Sequence, residues 1–165
     1  MNITKNLKKK FLSKETIISM LFIVIIFTLD RVSKIKIVNH QLDNNSIFIN
    51  DYLNFHLIWN TGISFGLLSQ NENIYYHFIS FIIFLVIIFL IYLICKANFI
   101  EKSLFSIILG GAIGNFYDRL VYLAVPDFID IHINDFHWFT FNIADIFITI
   151  GVICLISKDL ILNKK

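Results

Sequence analysis

The chain has 165 residues, 57% of them hydrophobic, and a formal net charge of only +2. That composition is too apolar for a soluble domain, it supplies several membrane spans of ~20 residues, and its charge carries no footprint for nucleic acid. One Pro and six Gly leave little material for a linker, so a single membrane domain over residues 1–165 is expected.

The N-terminus is basic, with Lys5, Lys8, Lys9, Lys10 and Lys14 ahead of the first apolar run. That run ends in Asp30-Arg31-Val32-Ser33-Lys34 without a small-x-small cleavage signature, so a retained span over 16–36 is expected rather than a removed signal peptide. Asp30 and Lys34 are four apart and face the same side of a helix. They read either as an interfacial ion pair with a snorkelling lysine or as a support for a site at the outer membrane face.

Residues 39–74 differ in kind. Ile47-Phe48-Ile49, Leu53-Asn54-Phe55-His56-Leu57 and Ile63-Ser64-Phe65 are short and rich in β-formers, and Asn44-Asn45, Asn50-Asp51 and Asn60-Thr61-Gly62 punctuate them. A small β-structured lobe resting on the membrane is expected, placed to cover a cleft between the helices. A second span over 75–95 is almost free of charge.

The third span, 101–122, carries Gly110, Gly111 and Gly114, small residues that suit close helix packing. Asn115, Asp118 and Arg119 follow at its outer end. Arg119 reads as a clamp on a carbonyl or an acid, given its rigid fork of donors, or as a helix-end partner of Asp118. Asp127, Asp130 and Asp135 lie in an expected outward loop, and Asp127 is set among Val125, Pro126, Phe128 and Ile129.

The fourth span, 141–162, contains Asp145 about a turn inside its apolar run, with Asn142 three residues before it. A carboxylate near lipid costs ~2.5–3.5 kcal/mol even on a lenient scale, so it usually has a partner and a use. Two such acids brought together share a proton, which is the chemistry of an aspartic peptidase pair. Asn60 and Asn142 each read as a turn or cap residue or as a holder of substrate backbone. His132 and His137 have no Ser or Cys nucleophile near them to make a His-based triad. Cys95 and Cys154 show no ligand spacing, so neither metal nor disulfide framework is expected.

Lys and Arg are absent from Ile37 to Ile94 and from Leu120 to Ser157. The positive-inside rule then places both termini and the loop holding Lys96 and Lys102 in the cytoplasm, and both acids near the outer face. Arg31, Lys34 and Lys36 are exceptions to the rule. The fold class expected is an α-helical polytopic membrane protein with four transmembrane helices and a small extracytoplasmic β-structured lobe. A proton-coupled transporter or a non-catalytic scaffold are the competing classes. A transporter places its acids mid-bilayer among repeated spans, and a scaffold leaves both acids unexplained.

Five elements, in order, resemble the lipoprotein signal peptidases (signal peptidase II). They are Asp30 with Lys34; Asn60-Thr61-Gly62-Ile63-Ser64-Phe65-Gly66; Gly114-Asn115 with Asp118-Arg119; Val125, Asp127 and Phe128; and Phe141-Asn142 with Ala144-Asp145. The resemblance implies an aspartic endopeptidase of the bacterial plasma membrane that cuts prolipoproteins before a diacylglyceryl-modified cysteine. It implies Asp127 and Asp145 as the catalytic pair. Asn60, Gly62, Asn115, Arg119 and Asn142 become substrate- or site-supporting, and Asp30, Lys34 and Asp118 structural. No cofactor is implied, the partners are prolipoproteins and membrane lipid, and a monomer is expected. The chain departs from the family pattern at Ile63 and Ser64, where alanines are usual, at Leu123, where glycine is usual, and at Pro126.

Overall fold

The structure, a computed structural model, describes residues 13–41, 46–62 and 73–162. Four helices and four strands follow in the order α1 (Lys14–Gln41), β1 (Ile47–Asn50), β2 (Leu53–Asn60), α2 (Asn73–Lys96), α3 (Phe99–Tyr122), β3 (Val125–Ile133), β4 (Phe136–Phe141) and α4 (Ile143–Leu162). The expected segment Ile63-Ser64-Phe65 lies outside the described residues.

Local sequence explains where the helices begin. Ser13 Oγ accepts the Thr16 N–H at 3.3 Å, and the Asn98 side chain accepts the Glu101 N–H at 3.1 Å, each satisfying an otherwise orphaned donor of a first turn. α3 ends at Leu123, whose φ of 54° and ψ of 23° place a non-glycine residue in the left-handed region. A helix end there favours glycine.

Three described helices, Lys14–His40, Tyr76–Lys96 and Phe99–Tyr122, are long and apolar enough to cross a membrane. α4 is also apolar but carries Asp145, Lys158 and Asp159 within its 20 residues. Leu21 and Val24 on α1, Phe81 and Phe89 on α2, and Ile153 and Ile161 on α4 are exposed. A water-soluble protein does not display so much apolar surface. α3 packs against each of the other three helices. Glycine permits that: a Cβ on Gly111 would stand 2.7 Å from the Ala144 carbonyl oxygen, and one on Gly114 would stand 2.5 Å from Asp30 Oδ2.

The strands form one antiparallel sheet in the order β1-β2-β3-β4. Ile37 of α1, Phe128 and Ile129 form a buried cluster, with Leu53, Phe55, Phe141 and Ile146 against it, and this pins the sheet to the ends of α1 and α4. Two expectations need correction. Asn39 to Gln41 continue the first helix rather than opening the lobe. Asp127 and Asp130 are not in a loop but in β3, paired with Ile58 and Asn54 of β2, and only Asp135 sits at a turn. The lobe therefore draws half its sheet from residues 125–141.

Candidate active site

Two acid clusters meet where the helices join the sheet. In the first, Asp30, Lys34 and Asp118 have no exposed surface. Lys34 Nζ donates to Asp30 Oδ2 at 2.7 Å, to Asp118 Oδ2 at 2.7 Å and to Asn115 Oδ1 at 2.8 Å, which uses all three ammonium hydrogens. Arg31 pairs with the other oxygen of Asp118. Two carboxylates thus face two cations. The remaining oxygen of Asp30 accepts the Ala144 N–H at 3.0 Å, so α1 caps the first turn of α4, where a negative charge is favoured. Asp118 does not pair with Arg119, its chain neighbour. The importance of Arg31 was missed in the sequence, although a cation that departs from the expected charge pattern at the end of an apolar run is itself a signal that a buried counter-charge awaits it.

In the second cluster, β3 carries Asp127 and α4 carries Asp145. Asn142 is the residue before α4, and its Oδ1 accepts the Asp145 N–H at 3.1 Å while Asp145 Oδ2 accepts the Asn142 N–H at 3.1 Å. This reciprocal capping box fixes the Asp145 carboxylate at the helix start. Because Oδ1 of Asn142 is held by a donor, its NH2 must face the other way, and it donates to Asp127 Oδ1 at 2.6 Å. Asn142 is fully buried and touches both acids.

The other two asparagines follow the same logic. Asn60 Oδ1 accepts the Gly62 N–H at 3.0 Å, which turns its NH2 onto Asp127 Oδ2 at 2.9 Å. Asn115 offers its carbonyl to Lys34, which can only donate, and so presents its NH2 to Asp145 Oδ1 at 2.8 Å. Each asparagine has its oxygen locked by a donor and its amide hydrogens on an acid. Asn115 also links the ionic cluster to the acid pair. Arg119 Nη2 donates to the Gly62 carbonyl at 3.0 Å, so it clamps a backbone carbonyl at the exit of β2 rather than an acid.

The electrostatics follow from this geometry. Asp127 is 4% exposed, and burial together with the neighbouring Asp145 charge pushes its pKa up to about 6. The hydrogen bonds from Asn60 and Asn142 and the Lys34 charge work in the opposite direction. Asp145 is half-buried. Among the described residues no group of three or more His, Cys, Asp or Glu is arranged to hold a metal.

Every expected site residue therefore falls in one connected network: Asp127 and Asp145 at its centre, Asn60, Asn115 and Asn142 on the acids, Gly62 and Arg119 behind Asn60, and Asp30, Lys34 and Asp118 beneath. Fold and site together define a helical membrane protein with an acid pair held by amides at one end of its bundle.

Comparison with known proteins agrees. The family model described as signal peptidase (SPase) II matches residues 22–161. The lipoprotein signal peptidase of Pelagibacter ubique (strain HTCC1062) is 47% identical over 154 residues, covering 92% of this chain and 93% of that one. That of Anaplasma phagocytophilum (strain HZ) is 39% identical over 147 residues, covering 89% and 94%. A bacterial membrane enzyme solved by the in meso method at 2.3 Å superposes with a TM-score of 0.75 at 34% identity, covering 89% of this chain and 91% of its own. The chain belongs to the signal peptidase II family. It is a multi-pass bacterial membrane protein and a peptidase.

Proposed function

We propose that this protein is an aspartic endopeptidase that removes signal peptides from prolipoproteins, cutting on the N-terminal side of a diacylglyceryl-modified cysteine. The observation that supports it most is the single Asn142 side chain, which caps Asp145 and donates to Asp127, holding two acids as a pair without a cation bonded to either. In this reading α4 is the fourth span, both termini are cytoplasmic, and the acid pair faces the outer leaflet. The whole chain acts as one domain and as a monomer among membrane lipids.

The chemistry follows from the unequal acids. The pair works with one shared proton, which burial and the neighbouring charge favour on Asp127. Asp145 takes a proton from a water as its oxygen attacks the scissile carbonyl carbon, and Asp127 donates its proton to the carbonyl oxygen. When the tetrahedral intermediate collapses, the C–N bond breaks, the proton held by Asp145 passes to the cysteine nitrogen, and a hydroxyl proton of the intermediate returns to Asp127, leaving a carboxylic acid and a free amine. The Asn60, Asn115 and Asn142 amides keep both carboxyl groups in place. Arg119, through the Gly62 carbonyl, holds Asn60. The Lys34 cluster fixes the floor on which Asn115 and the start of α4 rest.

The test is cleavage of a diacylglyceryl-cysteine prolipoprotein by the purified protein in detergent, beside its unlipidated twin and the Asp127→Asn and Asp145→Asn variants. Cleavage before the cysteine that needs the lipid and both acids is expected. Near-normal turnover by either variant would remove that acid from the pair.

A further inference from the structure

The sheet has two unlike faces. Residues two apart on a strand share a face, and so do residues paired across strands. Asn54 pairs with Asp130, Asp130 with Thr140, and His132 with His137, so these polar side chains share one face. They bond to one another there: Asp130 Oδ2 lies 2.8 Å from His137 Nδ1, and Asn54 Nδ2 lies 2.8 Å from His132 Nε2. Asn54, Asp130, His137 and Thr140 also line a cavity on that side.

Beyond Asp127, the other face is apolar. Leu53 pairs with Ile131, Phe55 with Ile129, Ile129 with Phe141, and Ile133 with Phe136. Leu53, Phe55, Ile129 and Phe141 belong to the cluster with Ile37 of α1 and Ile143 and Ile146 of α4, so this face is turned toward the helices. Ile131, Ile133 and Phe136 continue it and are exposed, Phe136 at 64%. Trp138 is two residues from Phe136, its ring lies 6.4 Å from the Phe136 ring, and it is 67% exposed.

A contiguous apolar patch of this kind marks contact with lipid or with another protein. Direction, height and chemistry all favour lipid. A sheet face turned toward the helix ends overhangs the lipid beside them wherever it outruns the helices. Ile37 is buried under the sheet, yet Ile35, about 3 Å nearer the start of the helix, is exposed apolar surface. The lipid-facing surface of α1 thus reaches the level of the sheet, and the exposed Lys36 between them suits the headgroups. The patch contains no charged residue and includes a tryptophan, the residue type favoured at the boundary between acyl chains and headgroups. Asp135, the acid of this hairpin's tip, sits at the turn.

We propose that the β3–β4 hairpin is a membrane anchor. Ile131, Ile133, Phe136 and Trp138 insert among the acyl chains of the leaflet at the sheet end of the bundle, and Asn134 and Asp135 keep the turn at the headgroups. The polar face then looks to water. β3 also carries Asp127, so the anchor fixes the height of that acid relative to the lipid. The proposal stands on the membrane character of the chain and not on the peptidase reading.

The chain holds two tryptophans, Trp59 and Trp138, so Trp59→Phe leaves Trp138 as the reporter. The experiment places this full-length chain in phosphatidylcholine nanodiscs, a single copy in each, with acyl chains brominated either just below the glycerol or near the methyl ends. Bromine below the glycerol should quench Trp138 emission about twofold and bromine near the methyl ends less, because interfacial insertion reaches only ~5–10 Å. Aqueous acrylamide should quench weakly. In the Ile133→Ser, Phe136→Ser double variant the bromine quenching should fall by about half or more, and acrylamide quenching should rise. Strong acrylamide quenching with none from bromine overturns the proposal, since the hairpin then stands in water. Shielding from both quenchers overturns it too, since protein then covers the patch. Bromine quenching unchanged in the double variant overturns it as well, because the helices alone would then set the position of Trp138. If the double variant does not accumulate, the order of the two brominated lipids in Trp59→Phe decides, and stronger quenching near the methyl ends overturns the proposal.

Discussion

Asp30 and Asp118 lie beneath Asp127 and Asp145, and the same side chain serves opposite ends in the two places. The lower acids have their oxygens on Lys34, Arg31 and a backbone N–H, with no exposed surface. Charge there is balanced within the cluster, and breaking it leaves an uncompensated buried ion. The upper acids are held by the amides of Asn60, Asn115 and Asn142, which orient a carboxylate without cancelling its charge. Among the described residues the upper pair has no cation bonded to it, whereas the lower pair has its charge committed to structure. The composition of the partners, more than burial itself, separates an acid that supports a site from one suited to react. Asn115, with Lys34 on one end and Asp145 on the other, is the joint between the two regimes.

The sharpest way to break this contrast is to neutralise one acid of each kind. Asp127→Asn and Asp145→Asn should each lower kcat/KM by ~10²–10⁴-fold, the usual worth of a general acid or base, while the variants remain folded in detergent. Lys34→Met should do the reverse. It leaves two buried carboxylates with Arg31 as their one counter-charge and should destabilise the fold by about 3–5 kcal/mol, seen as a lowered unfolding midpoint and poor yield. An unchanged midpoint with lost cleavage would move Lys34 out of the scaffold and into the chemistry.

A pH series sharpens the contrast further. The folded-state pKa of Asp127 is about 6, above its ordinary 3.8, so the folded state binds this proton more tightly than the unfolded state. Its contribution is fully present below the unfolded value and is lost as pH rises through about 6. The unfolding midpoint of the native chain, relative to Asp127→Asn, should therefore fall between pH 4 and pH 7, by an equivalent of no more than ~3 kcal/mol. A flat difference across that window would show that Asp127 is not held protonated by its surroundings. The smallest expected effect is at Leu123. A left-handed conformation costs an ordinary residue ~1–2 kcal/mol, and glycine's extra freedom when unfolded returns ~0.5–1 kcal/mol of that. Leu123→Gly should thus raise stability by under about 1 kcal/mol without altering cleavage.

Much of this was legible in the chain. The apolar runs marked all four helices, since a run long enough to span lipid has few alternatives. The β-formers of Leu53 to Leu57 marked β2. Asn142 and Asp145, three apart before an apolar run, carry the spacing of a capping box. Resemblance ordered the remaining site residues. Residues 125–141 misled, because aspartates and histidines between two spans read as a solvated loop. β3 forms by pairing with β2, some 70 residues earlier, and a pairing that distant leaves no local signature.

Composition and charge pattern alone thus determined a membrane-embedded helical chain with two anomalous acids, because the energetics of lipid leave few other uses for such residues. Only tertiary structure decided which acids are neutralised and which are not. That distinction depends on which way three asparagine side chains turn, and each is turned by a donor brought from elsewhere in the fold: Lys34 for Asn115, the Gly62 N–H for Asn60 and the Asp145 N–H for Asn142. Tertiary structure also decided that Asp130 and His137 line one cavity, since the pairing of β3 with β2 and β4 sets which side chains share that face.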